Sequence, residues 1–172
     1  MSQKNSSKSG KHLNIIITAV VALLAVVAIV FVVNKPDPST KDNKSTKAAV
    51  TKDNDLVIPV NDIKESATFY PVEIDGTKME IIAVKASDGT LRTAFNTCQV
   101  CYNSGKGYYE QEGDQLVCQN CGNRFGMDDV ETTRGGCNPV PITDEYKRVD
   151  STNITITKDV LASAVSIFAD WK

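Results

Sequence analysis

Residues 97–101 read TCQVC and residues 118–125 read CQNCGNRF. Two CxxC pairs, Cys98 with Cys101 and Cys118 with Cys121, are thus separated by sixteen residues in a chain with five cysteines in all. In a CxxC turn both sulfurs can point to one side, and two such knuckles face to face place four thiolates at the corners of a tetrahedron. Their spacing is that of a metal site. The competing reading is two disulfides, the expected use of cysteine outside the cytoplasm. A CxxC closed on itself is a strained ring, so a disulfide version would cross-link one knuckle to the other. The fifth cysteine, Cys137, lies in TTRGGCNPVPI. It is a candidate extra ligand, reactive thiol or buried small side chain, and Gly135, Gly136 and Pro139 around it mark a defined turn.

Only one histidine occurs, His12, far from either pair. Residues 56–172 therefore offer no imidazole ligand and no Cys-His nucleophile pair. Because Tyr102 and Gly122 follow the two CxxC pairs, there is no CxxCH haem attachment either. Thiolate is the one strong soft ligand in this part of the chain. Gly122, directly after the second pair, would let backbone N–H groups approach the sulfurs. Arg124 and Arg134 would stabilise an anionic centre, or else serve as surface ion pairs. Tyr102, Tyr108, Tyr109 and Phe125 are candidates to shield the site or simply to pack.

Upstream of Cys98, TFYPVEIDGTKMEIIAVKASDGTLRTAF divides into short β-rich runs at Asp75-Gly76 and Asp88-Gly89. Such dipeptides mark hairpins, which predicts strands at 69–74, 78–85 and 90–95. Between the knuckles, glycines at 105, 107 and 113 and the strand-like QLV predict a hairpin leading into Cys118. RVDSTNITI at 148–156 reads as one later strand. Thr157 is placed to cap a helix over KDVLASAVSIFADWK, where Leu161, Val165, Phe168 and Trp171 form an apolar stripe.

The beginning of the chain is of another kind. Residues 13–33, LNIIITAVVALLAVVAIVFVV, carry no charge. As a helix, 21 residues rising about 1.5 Å each would span roughly 31 Å, the thickness of a bilayer core. The run exceeds the apolar region of a cleavable signal and ends without a small-x-small site, which predicts an uncleaved signal anchor. Residues 1–12, with Lys4, Lys8 and Lys11 and no acidic residue, read as a cytoplasmic arm, and the domain that follows as extracytoplasmic. Residues 34–55 are crowded with Lys, Asp, Ser, Thr, Asn and Pro, too polar to bury a core, and read as a flexible linker. Residues 56–172 hold 11 Lys and Arg against 17 Asp and Glu, a formal charge of −6. Nucleic acid is thereby excluded as an expected partner.

The stretch TCQVCYNSGKGYYEQEGDQLVCQNCGNRFGMDD followed by GGCNPVPI resembles the FtrD-like family of bacterial membrane iron-sulfur proteins, in which both CxxC pairs, GKGYY, CGNRF and GGCNPVP occur together in order. The resemblance implies a bacterial cell-membrane protein with a single span that binds an iron-sulfur cluster and is associated with iron acquisition. A more distant similarity is to Rieske domains, in the order of strand, first knuckle, hairpin, second knuckle and later strand. At the positions of the Rieske histidines this chain carries Cys101 and Cys121. Two thiolates in place of two neutral imidazoles would make a bound [2Fe-2S] cluster more negative and shift its potential toward that of plant-type ferredoxins.

The expected fold is a mainly β metal-knuckle domain, Rieske-like or rubredoxin-like, with a C-terminal helix and one preceding transmembrane helix. The expected ligands are Cys98, Cys101, Cys118 and Cys121, with Cys137 as an additional ligand or thiol and Gly122, Arg124 and Phe125 around them. Three functions fit these residues. One is an electron carrier with a [2Fe-2S] cluster or a single iron, working beside a membrane permease or redox partner. The second is a structural zinc module that binds a partner protein. The third is a thiol-based metal carrier or disulfide oxidoreductase.

Overall fold

The computed structural model describes residues 49–172. The arm at 1–12, the apolar segment at 13–33 and most of the stretch read as a linker lie outside the described residues. Among the described residues no helix is long and apolar enough to cross a membrane.

The structure is mainly β. Its central sheet is built on a meander of β3 (Thr68–Ile74), β4 (Thr77–Lys85) and β5 (Leu91–Cys98). At the first turn Asp75 and Gly76 both take positive φ, 47° and 82°. That conformation matches the twist of the strands it joins, and the Asp-Gly dipeptide tolerates it. Two edge strands, β1 (Thr51–Lys52) and β9 (Pro139–Pro141), complete the sheet in the order β1-β3-β4-β5-β9. Strand β9 runs antiparallel to β5, and β1 runs parallel to β3. Two residues of the stretch read as a tether, Thr51 and Lys52, are thus strand. There Asp53 N–H donates to the Glu73 carbonyl at 2.9 Å, and Lys52 pairs with Glu73 at 2.7 Å.

Strand β4 explains why the sequence MEIIAV is nearly continuous in apolar character. Side chains alternate across a strand, so a sheet covered on both faces needs apolar residues at consecutive positions. Met79, Ile81 and Ala83 enter one core with Tyr70, Val72, Ile74 and Phe95. Ile82 and Val84 enter a second core with Ala94, Cys98, Cys101, Cys118 and Phe125. Truncating a fully buried isoleucine such as Ile81 or Ile82 to alanine would cost about 2–5 kcal/mol.

The first core is closed by a three-stranded sheet in the order β10-β11-β2, formed by β2 (Leu56–Pro59), β10 (Arg148–Val149) and β11 (Asn153–Ile156), and by the C-terminal helical segment. Residues 148–156 are a hairpin and not the single strand predicted. Asp150 Oδ1 accepts from the N–H groups of Thr152 and Asn153 at 2.7 and 2.8 Å, and this local turn outweighs extended pairing. The helix is also shorter than predicted. Thr157 caps α1 (Lys158–Ser163), and the chain then tightens into a 3-10 turn over Val165–Phe168. The stripe still packs, with Leu161, Phe168 and Trp171 buried and Val165 partly so.

The second core is closed by a small sheet of β6 (Tyr109–Glu112), β7 (Gln115–Cys118) and β8 (Arg124–Gly126) in the order β6-β7-β8. The predicted hairpin between the knuckles is its first half.

Candidate metal centre

Each knuckle begins at the last residue of a strand. Cys98 ends β5 and is fully buried. The chain then turns so that the N–H groups of Val100 and Cys101 point back to the Cys98 sulfur at 3.4 and 3.2 Å. Amide donors aimed at one sulfur favour its thiolate form. Gly107, the second glycine of GKGYY, closes the loop by accepting a hydrogen bond from Cys98 N–H on its carbonyl at 2.7 Å. A Cβ on Gly107 would lie 2.3 Å from the Cys101 carbonyl oxygen, so only glycine fits there.

Cys118 ends β7 and pairs across the hairpin with Tyr109. The turn after it is held by Gly122 N–H donating to the Cys118 carbonyl at 2.8 Å, with Gly122 at φ 72°. That amide therefore serves the backbone of the knuckle and not a sulfur. Cys121 is exposed, whereas Cys98, Cys101 and Cys118 are buried.

Cys137 arrives from the opposite direction. Gly135 and Gly136 take positive φ, 85° and 62°, which brings the chain sharply onto β9. Antiparallel pairing of Cys98 with Pro139 then sets Cys137 over the first knuckle. Gln99 N–H donates to the Asn138 carbonyl at 3.0 Å, and Asn123 Nδ2 donates to the Cys137 carbonyl at 2.7 Å, joining both knuckles to this loop. The Cys137 sulfur lies 2.8 Å from that of Cys121, 3.2 Å from Cys98 and 3.9 Å from Cys101. The sulfurs of Cys98, Cys101, Cys118 and Cys137 all lie within 4.8 Å of one another. All five cysteines are free thiols.

The electrostatics differ from thiol to thiol. Burial pushes the Cys101 thiol up to about 11. Burial also opposes ionisation of Cys98, but the amides of Cys101 and Val100, with Cys137, outweigh it and bring the thiol below its ordinary range. Cys121 falls to about 7, first through its hydrogen bond with Cys137 and then through the Asn123 amide. Cys137 is raised by burial and by its thiol neighbours.

The wall around the sulfurs is largely apolar. Tyr109, Leu116, Phe125, Met127 and Val130 are buried in the same cluster as the cysteines. Tyr109 points its hydroxyl toward Cys137, 3.9 Å from the sulfur, and burial raises its pKa. Asn96, fully buried, accepts from Tyr109 N–H at 2.8 Å and donates to the Tyr109 carbonyl at 3.2 Å, with Glu80 as its other acceptor. Asn96 carries no signal in the sequence, and Gly107 reads there only as one of the hairpin glycines between the knuckles. Arg124 pairs with Glu112 at 2.7 Å with both side chains about half exposed, the ion-pair alternative of the sequence reading. Tyr102 is 37% exposed, and Tyr108 packs edge-on against Trp171.

A family model described as "Membrane iron-sulfur containing protein FtrD-like" matches residues 44–168. The chain belongs to the FtrD-like family. Neither a curated protein nor a solved structure matches it. The FtrD-like match includes β1, both knuckles, Cys137 and most of the C-terminal segment.

The residues of this FtrD-like domain fit a sulfur-bound metal. Four thiolates around one ion at metal–sulfur distances of about 2.3 Å stand roughly 3.8 Å from each other, the range in which these sulfurs gather. Cysteine is also the ligand of iron-sulfur clusters. A buried cysteine cluster able to bind metal is thus present in a membrane iron-sulfur family.

Proposed function

We infer that this FtrD-like protein is a membrane-tethered electron carrier with iron at the cysteine cluster. The observation behind the reading is the convergence of five free thiols in a domain without histidine, three of them buried against aromatic and aliphatic side chains. When bound, thiolate-ligated iron supplies a one-electron couple. The chain's own residues prepare the surroundings. Val100 and Cys101 amides offset negative charge on the Cys98 sulfur, while Phe125, Leu116 and Met127 keep water from the buried side. Exposed Cys121 and half-buried Cys137 leave one edge near solvent, where a redox partner can come close.

An anchor at 13–33 would tether the domain outside the cytoplasmic membrane, with reduction of ferric iron for a neighbouring permease as the associated task. Anaerobic purification of the full chain tests the reading. Visible absorption with stoichiometric iron that bleaches on reduction supports it, and sulfide content distinguishes a [2Fe-2S] cluster from a single iron. Colourless protein with stoichiometric zinc overturns it.

A further inference from the structure

The geometry points to a ligand set that departs from the two-knuckle pattern: Cys98, Cys101, Cys118 and Cys137 hold the metal, and Cys121 stands at the solvent edge as the thiol through which metal is loaded. The inference rests on the proposed function only in requiring a bound metal, and it is independent of that metal being iron.

Four sulfurs complete a tetrahedral ion, so one of the five thiols is surplus. The mutually close set is Cys98, Cys101, Cys118 and Cys137, and it does not include Cys121. Cys137 is fixed from three directions: by the Cys98–Pro139 register, by Gln99 N–H on the Asn138 carbonyl and by Asn123 Nδ2 on its own carbonyl. Cys121, the second cysteine of CQNC, is the one exposed member of the five. A buried metal site needs a way in. Cys121 supplies it, since the residue is exposed and its sulfur lies 2.8 Å from that of Cys137.

Loading would begin with the Cys121 thiolate displacing one ligand of an incoming carrier. Cys98, Cys101 and Cys118 would each displace a further carrier ligand as their thiol protons pass to solvent, and Cys137 would replace Cys121 as its proton passes to the Cys121 sulfur. Four carrier ligands leave, four cysteine thiolates take their places, and no electron moves.

Cobalt(II) is a suitable probe because its thiolate charge-transfer bands report sulfur ligation whichever metal the protein carries on purification. The full chain in detergent micelles, loaded anaerobically with cobalt(II), would be treated with iodoacetamide and the labelled cysteine located by mass spectrometry. Labelling of Cys121 with the other four protected is the expected result. Labelling of Cys137 in its place, protection of both, or failure to take up cobalt overturns the assignment. Cys121→Ser should retain one cobalt per chain with the wild-type charge-transfer intensity but load roughly tenfold more slowly, the lower end of what loss of a group beside a metal ligand costs. An unchanged loading rate overturns the loading role, and a lost thiolate band overturns the ligand set. Purification with zinc would refute the electron-carrier reading while leaving these outcomes interpretable.

Discussion

Gly107→Ala should damage the first knuckle by a purely steric route. The added Cβ would meet the Cys101 carbonyl oxygen at 2.3 Å, the Cys101 carbonyl carbon at 2.7 Å and Tyr102 Cα at 2.8 Å. All three are backbone atoms, so no side chain can swing away. Overpacking of a well-filled site costs about 1–3 kcal/mol, and three simultaneous backbone clashes place this variant near the upper end. A loss of about 3 kcal/mol corresponds to more than a hundredfold change in the folding equilibrium. Gly105→Ala in the same loop is the control. Gly105 has φ 71° with no atom within 4 Å of a built Cβ, so its penalty is conformational alone, about 1–2 kcal/mol. Urea unfolding of the full chain in micelles, followed by fluorescence of Trp171, measures both variants. The same strain acts on the Cys98 N–H bond to the Gly107 carbonyl, so Gly107→Ala should also weaken metal uptake. Stability of Gly107→Ala within about 0.5 kcal/mol of wild type, the range of a neutral surface change, would refute the steric reasoning, as would a larger loss at Gly105.

Other perturbations test the supports of the site. Lys147, with its side chain 1% exposed, pairs with Glu131, whose carboxylate also accepts from Thr93 N–H at 2.9 Å. Lys147→Met should cost about 3–5 kcal/mol by stranding that carboxylate, and adding Glu131→Gln should recover part of the loss in the same unfolding assay. Trp171 Nε1 donates to the Asn96 carbonyl at 2.5 Å, and the ring packs against Phe168 and Tyr108. Trp171→Phe should therefore cost about 1 kcal/mol for the hydrogen bond, and Trp171→Ala about 3–5 kcal/mol, measured by thermal melting. Asp128 accepts from Ser87 N–H and Oγ, both at 2.7 Å, which holds its carboxyl below the ordinary range. A carboxyl depressed on folding contributes stability above its unfolded pKa and loses it as pH falls through the folded one. The stability gap between wild type and Asp128→Asn should thus be full near pH 6 and shrink progressively below about pH 4, traced by urea midpoints against pH.

Local signals were strong where a short segment specifies its own conformation. Asp75-Gly76 and the alternating runs beside it placed β3 and β4 to within one residue at either end, and Thr157 marked the start of α1. They failed where two local preferences compete, as at Asp150, whose carboxylate captures neighbouring amides and folds 148–156 into a hairpin. They also failed at β1, since the pairing of Thr51 with Val72 joins a polar segment to a strand residue twenty-one positions away, and no feature of its composition announces that partner.

For the metal centre the same division holds. Spacing alone established two knuckles, because a CxxC turn is local and needs few other residues to orient its sulfurs. Composition alone removed histidine from residues 56–172. Tertiary structure decided where the fifth cysteine lies. Cys137 lies sixteen residues from Cys121 and thirty-nine from Cys98, yet the β5–β9 register and the turn at Gly135-Gly136 bring its sulfur to within 3.2 Å of both. Such closeness arises from strand pairing across the sheet, a long-range choice that spacing along the chain does not encode.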